Sequence, residues 1–461
     1  MMNDRFVEAE PSLIVPAQRR QPFVISRAQR ECWLWRGLTL LFISALVIRF
    51  YHLASHHWIE YMHDSASHAA YVEYLRLHYR LPPVDEGHLE YPQQPLYYLL
   101  AMPFYQTDKN WDQNLDNLAP LGFCLSTAAL SFVFFSLRYL SSWPLRYGVF
   151  VFFAFTPAFV LASSCVGNDV LGVFWGAFYF FCILRFNRNP RAIRYFILTI
   201  GTLVAALLTK LNGVILFVAL PWLLWRRAQH DISWKQTATR FAVITLMMAL
   251  LGGGILYRAW SPAHRQFIFA HSWIWDYMAI HENSWVYALR FDLSGLISAG
   301  QTTTTNVTPD EVRFSFPSWE YGNMLLGEYE YNNDPVLLFY SRQLIVAGTS
   351  LLFGLVLFTI GAFLSRPVWP WQEIISLNRT ALLLIVGSSC LILAFVHWAP
   401  VMCSADYRYQ CSTFPWMGYA MARGLCAFPK SIFWRNTIMG FLGFYTYACI
   451  SFLIALYIQR P

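Results

Sequence analysis

The chain has 461 residues, of which 57% are hydrophobic, 18% aromatic and 13% charged, about half the charged share of a soluble globular protein. A soluble enzyme and a disordered chain are both excluded. The formal net charge of +7 needs no nucleic acid, because cytoplasmic Arg beside anionic headgroups accounts for it.

Repeated apolar runs of about 20 residues, without the long alternating segments of a barrel, set the fold class as an all-α polytopic membrane protein. The first thirty residues hold Arg19, Arg20, Arg27 and Arg30 with scattered Pro and Glu, and residues 1–32 read as a cytoplasmic tail, not a cleaved signal. Residues 33–457 read as one transmembrane domain with no separate soluble domain. It crosses about eleven times, near 33–51, 117–137, 147–163, 169–185, 195–209, 211–225, 241–257, 339–364, 380–397, 413–425 and 436–457.

With the N-terminus inside, the long loops 52–116 and 258–338 face outward, together with 164–168, 210 and 398–412. Lys and Arg concentrate on the inner side, as the positive-inside rule requires. Acids do the reverse: only Asp4, Glu8, Glu10, Glu31, Asp231 and Glu373 fall inside, and His230 is the one His there. The chemistry faces outward.

In the first outer loop, Asp64 precedes a run from Ser65 to Tyr79 with apolar Ala69, Val72, Leu75 and Leu77, stopped by Pro82 and Pro83. The pattern predicts a short helix on the membrane surface, with Asp64 as its N-cap, as a chemical group, or as both. Seven His fall between His52 and His88, and Asp64 with His68 stand four apart on one helical face, as in divalent-cation sites. The spacing is generic, and HExxH and DxD are absent. Interfacial His satisfied by water or headgroups is therefore preferred, with a divalent metal as the alternative and no cofactor assigned. Residues Pro95 to Tyr105 form a run too short to span, lying at the interface before the span that begins near Asn117.

The second long loop is rich in Trp, Tyr and Thr, and Trp319 to Tyr331 reads as a surface helix leading into the next span. Its aromatics fit interfacial anchors. Three polar features stand at span ends: Gly167-Asn168-Asp169, the run Leu208-Thr209-Lys210-Leu211-Asn212-Gly213, and Tyr407-Arg408-Tyr409. A charge at membrane depth is costly unless it pairs or faces a polar cavity, so Asp169 and Lys210 read as lining a wet cavity at the outer surface. The structural alternatives are snorkelling for Lys210, helix capping for Asn168 and Asp169, and pairing with Asp406 for Arg408. Cys403 and Cys411 bracket the last feature on a side where a disulfide would persist.

An acid just after the first span, a surface helix, the run Gln93-Gln94-Pro95-Leu96-Tyr97-Tyr98-Leu99-Leu100 and these three features follow one another in a fixed order. Over about residues 35–425 the arrangement resembles the GT-C superfamily of polyprenyl-phosphate-sugar glycosyltransferases. The nearest groups are bacterial membrane transferases related to the protein O-mannosyltransferases and the lipid A aminoarabinose transferase. Two departures are visible: Asp64-Ser65 stands where many members have two adjacent acids, and Gln93-Gln94 stands where HPPLYY is frequent.

The resemblance implies a GT-C-like bundle with periplasmic or lumenal surface helices, moving a sugar from a polyprenyl phosphate to a hydroxyl on a lipid, glycan or protein. It implies Asp64 as base, Asp169 as a second acid, and Lys210 and Arg408 as cations on the donor phosphate. His68, His88, Glu90, Gln93, Gln94, Tyr97, Asn168, Tyr407 and Tyr409 would line the substrate. With no enzyme nucleophile, inversion at the anomeric carbon is expected. The membrane would be a bacterial inner membrane, or that of the endoplasmic reticulum in a eukaryote. A transporter or flippase should show repeated halves or matching broken helices, and the sequence has no internal repeat. An O-antigen-type ligase or polymerase would lean on Arg and His in the large loop, whereas here the acids of the first loop dominate.

Overall fold

The computed structural model describes residues 26–55, 64–84, 88, 90–189, 192–221, 291, 293–299, 316–326, 334–364, 372–398, 407–427 and 431–459, with single positions at 239, 242, 246 and 253. All regular structure among them is helical. In chain order the helices are α1 (Arg27–Ala54), α2 (Ser65–His78), α3 (Leu96–Ala101), α4 (Trp111–Ser136), α5 (Trp143–Phe155), α6 (Pro157–Leu161), α7 (Asp169–Arg188) and α8 (Ile193–Thr209). After 3-10 turns over Leu211–Ala219 come α9 (Leu293–Ala299), α10 (Phe316–Leu326), α11 (Pro335–Leu364) and α12 (Gln372–Trp398). A second 3-10 segment, Tyr407–Thr413, leads into α13 (Phe414–Leu425) and α14 (Ile432–Gln459). Residues 1–41 and 42–461 form separate units, divided within α1.

Six of these helices, α1, α4, α7, α11, α12 and α14, are long and apolar enough to cross a bilayer. The protein is an integral, multi-pass membrane protein. Three expected spans take another form. Residues 147–163 fall on α5 and α6, which meet at 54° and count as at most one broken span. The expected span 211–225 is a run of 3-10 turns as far as Ala219. The expected span 413–425 is α13, whose 12 residues reach about 18 Å against a hydrocarbon core of about 30 Å. The expected span 241–257 lies almost wholly outside the described residues.

The bend between α5 and α6 has a local cause. Pro157 has no N–H, so the Phe153 carbonyl loses its helical donor, and Thr156 before it leaves the helical region at φ −54°, ψ 120°. Arg49, buried in α1, meets the freed carbonyls: Nη1 donates to Ala154 O at 2.8 Å and Nη2 to Phe153 O at 3.5 Å. His52 Nε2, one turn on, donates to Leu161 O at 3.1 Å. The two terminal nitrogens of a cation within a span thereby meet backbone carbonyls of a kink, while its buried Nε has no hydrogen-bond partner.

The helix that positions the expected site residues is α7, packed against α4, α8 and the segment Tyr407–Thr413. A Cβ at Gly176 would lie 2.1 Å from Ser412 O, and one at Gly172 would lie 2.7 Å from Cys411 Sγ. Only glycine admits so close an approach, and it brings Arg408 toward the N-terminal end of α7. On the same side, α2 does not lie alone on the membrane surface. Its Ala69, Tyr71, Val72 and Leu75 are buried with Tyr97, Tyr98 and Ala101 of α3 and Leu115 and Leu118 of α4.

Candidate active site

Asp64 occupies the N-cap position of α2, at φ −96°, ψ −3°, yet its side chain makes no capping hydrogen bond. It turns to Arg408 instead, whose Nη1 donates to Oδ2 at 2.7 Å. This replaces a capping role for the Asp64 side chain; the other local alternative, Arg408 paired to Asp406, rests on a residue outside the described ones. A second ion pair joins α7 to the turn after α8: Lys210 Nζ donates to Asp169 Oδ1 at 2.5 Å. Lys210 does not snorkel, its side chain being 12% exposed, with Asp169 at 5%.

Backbone and amide groups tie the two pairs together. Asn168, at the N-cap of α7, also makes no capping bond. Its Nδ2 donates to Thr209 O at 3.3 Å and to Gln93 Oε1. Asn212 Nδ2 donates to the Arg408 carbonyl at 3.1 Å. The tyrosines of the QPLYYLL run are the floor beneath. Tyr97 OH accepts from Gly167 N at 3.1 Å, and Tyr98 OH donates to Gln93 Oε1 at 3.4 Å while lying 2.8 Å from His68 Nδ1. Tyr71 stacks on Tyr98 at 3.7 Å and donates to Gln93 O at 3.2 Å.

The titration behaviour follows from this setting. Burial pushes the Asp64 carboxyl up, but Arg408, with His68 and Lys210, outweighs it and holds the group at about 2. Burial lowers His68 to about 4 against the opposing pull of Asp64, so at neutral pH the imidazole is neutral. Burial, reinforced by the charge of Asp64, raises Glu90 to about 8. Two carboxyls in one site thus sit at opposite ends of the scale, as in acid/base pairs elsewhere.

His68 is not an interfacial histidine, being 2% exposed. One ligand atom each of Asp64, His68 and Glu90 lies within 4.8 Å of the others, and two carboxylate oxygens with one imidazole nitrogen suit a divalent cation. Of the other expected lining residues, Gln94 is buried with its Nε2 unpartnered. His88 stands apart, exposed against the Tyr91 ring at 5.4 Å. Tyr407 and Tyr409 lie in the 3-10 segment, and their side chains are outside the described residues, as is Cys403. Cys411 is buried with a free thiol, 3.7 Å from Asn212 Nδ2.

Tyr71, Tyr98, Thr209 and Asn212 were not singled out as site residues. Three of them stand inside the motifs noted for Gln93 and Lys210. Tyr71 had its own signal, an aromatic one turn after His68 on the same helical face.

No protein-family model matches the chain, and no curated protein matches it. Among solved structures it is similar to crystal structures of ArnT from Cupriavidus metallidurans, one in the apo state and one bound to undecaprenyl phosphate. Each has 14% sequence identity and a TM-score of 0.38 over 84% of this chain and 77% of that chain. The multi-pass helical architecture rests on the helices themselves.

Chemically, the site offers two cations, each already holding a carboxylate. A phosphate presents the same kind of acceptor oxygens as these carboxylates.

Proposed function

We propose that the protein is a glycosyltransferase of the GT-C type, moving a sugar from a polyprenyl phosphate to an acceptor hydroxyl on the non-cytoplasmic face. The observation that carries this reading is the adjacent placement of the pairs Asp64–Arg408 and Asp169–Lys210. All four residues come from segments read as outward-facing, within one transmembrane domain over 33–457 whose N-terminus is cytoplasmic. A bacterial inner membrane with a periplasmic site is the setting that fits.

The donor phosphate takes Arg408 and Lys210. Losing Arg408 returns the Asp64 carboxyl toward the ordinary carboxylate range, so the base strengthens when the donor is in place. Asp64 then removes the proton of the acceptor hydroxyl as its oxygen attacks the anomeric carbon. The bond from that carbon to the phosphate oxygen breaks, and the electron pair leaves on the lipid phosphate, held by the two cations. A single displacement inverts the anomeric centre. Asp169, freed from Lys210, orients the acceptor or the donor sugar. Glu90, protonated at neutral pH, stands beside Asp64 without adding like charge.

A metal-assisted variant is favoured by the convergence of Asp64, His68 and Glu90. Those three residues would hold a divalent cation, which would supply Lewis-acid help to the leaving phosphate.

The test is purified protein in lipid with a panel of polyprenyl-phosphate sugars, comparing wild type with Asp64→Asn, with and without a chelator. Sugar transfer or donor hydrolysis is expected in wild type only. A folded Asp64→Asn that turns over like wild type removes the assigned base, and chelator-sensitive turnover selects the metal variant.

A further inference from the structure

The far end of α7 carries cations that the outer site does not use. The guanidinium carbons of Arg138, Arg185 and Arg188 stand 5.2, 5.3 and 5.4 Å from the centroid of one ring, Tyr139. Arg185 also faces Tyr195 at 5.0 Å and Phe181 at 5.8 Å, and its Nε is buried without a hydrogen-bond partner. Arg138 Nε donates to the Phe135 carbonyl at 3.1 Å. The ion pairs among the described residues lie elsewhere, and no carboxylate among those residues reaches these three arginines.

Cation–ring contacts are favourable, but they use ring faces and leave guanidinium N–H groups without acceptors. Like charges gathered on a single ring also repel one another. The arrangement therefore lacks an anion with several acceptor oxygens.

Position says which anion. The apolar spans of α4 and α7 end here, at Tyr139 and Arg188, roughly 30 Å along α7 from Asp169. This is a membrane–water boundary, opposite the outer site. Phe135, one turn before Arg138 and beneath its guanidinium at 5.9 Å, is 50% exposed, an apolar surface on the lipid side of the charges.

We propose that Arg138, Arg185 and Arg188, set around Tyr139, bind the phosphate headgroup of an anionic membrane phospholipid. The planar guanidiniums donate to the phosphate oxygens, Tyr139 and Tyr195 fix their planes, and the acyl chains run past Phe135 along α4. The site is separate from the outer centre and does not depend on the reaction proposed there.

The experiment uses the full chain, delipidated in neutral detergent, with the unfolding temperature followed during addition of phosphatidylglycerol, phosphatidylcholine or inorganic phosphate. Phosphatidylglycerol is expected to raise it, and the other two are not at equal concentration. The Arg138→Gln/Arg185→Gln/Arg188→Gln protein should need at least ten-fold more phosphatidylglycerol for the same rise. The corresponding triple Lys variant, which keeps charge but not the planar fork, should fall between. Should the triple Gln variant fail to fold, the exposed Arg188→Gln alone is read, with a several-fold weakening expected. Equal stabilisation by phosphatidylcholine, equal stabilisation by inorganic phosphate, or an unchanged phosphatidylglycerol response in the variants would each overturn the assignment.

Discussion

The two ends of α7 treat charge in opposite ways. At the Asp169 end each cation holds a carboxylate from a distant segment, Lys210 with Asp169 and Arg408 with Asp64. At the Arg188 end three guanidiniums share a tyrosine ring and meet no carboxylate among the described residues. A largely buried ion must be compensated within the protein, whereas a partly exposed one at the bilayer edge draws its counter-charge from water and headgroups. On the function proposed above, these matched pairs are the resting form of groups that meet a charged substrate.

The largest expected effect tests whether the matched end is chemical at all. Asp64→Asn should lower kcat by at least about 100-fold, the ordinary scale of a lost general base, with only a modest fall in unfolding temperature from the lost pairing with Arg408. Asp64 is 35% exposed and Arg408 19%, so water can serve the unpaired Arg. Turnover measured with a polyprenyl-phosphate sugar decides it, and activity within a few-fold of wild type breaks the comparison at its functional side.

Next comes stability. Lys210→Met leaves Asp169 buried without its counter-ion, which should cost about 3–5 kcal/mol. The double variant Lys210→Met/Asp169→Asn should recover much of that loss and still bind no donor. At the other end, the exposed Arg188→Gln should change stability by no more than about 0.5 kcal/mol. Chemical denaturation in detergent measures all three, and a Lys210→Met protein as stable as Arg188→Gln would erase the distinction between the ends.

A smaller effect comes from Glu90. Its carboxyl ordinarily titrates near 4.5 and is raised by burial and then by Asp64 to about 8 in the folded protein. The folded state therefore binds the proton more tightly, so this contribution is complete below pH 4.5 and is lost as pH rises through about 8. Asp64 works the other way: its contribution is present above 3.8 and is lost as pH falls through about 2. Glu90→Gln should flatten the decline in unfolding temperature between pH 4.5 and 8 and leave the acid limb in place. An unchanged alkaline slope would mean that Glu90 does not carry the proton.

Much of the outer end is visible in the sequence, because its signals are local. The helix expected over Ser65 to Tyr79 is α2, ending one residue earlier, with Tyr79 turning left-handed at φ 52°. The run Pro95 to Tyr105 holds only the short α3 and a 3-10 turn, and Asp169 does open a helix. The helix expected from Trp319 is described as α10 as far as Leu326. Partners are another matter. Asp64 and Arg408 lie 344 positions apart, and no period or cap signal links them, so near neighbours such as Asp406 compete for the assignment. Hydrophobicity likewise marked 211–225 and 413–425 as apolar, but could not separate a bilayer span from a segment buried inside the bundle. The Arg cluster at the inner end was read only as positive-inside charge, since its common ring is a tertiary feature.

The smallest expected effect addresses how the matched end is held together. Asn212 Nδ2 donates to the Arg408 carbonyl, tying the turn that follows Lys210 to the segment that carries Arg408, so that this amide helps to set the spacing of the two cations. Asn212→Ala removes this tie and neither charge. Loss of one hydrogen bond of about 0.5–1.5 kcal/mol should raise the KM for donor roughly 2- to 10-fold, with kcat within about two-fold, because the cations must be gathered again around the phosphate. The opposite split, a lower kcat at unchanged KM, would mean that the spacing matters in the transition state and not in the binding of the resting phosphate. That result would move Lys210 and Arg408 from holding the donor to stabilising the leaving group, while keeping both pairs at the outer end of α7.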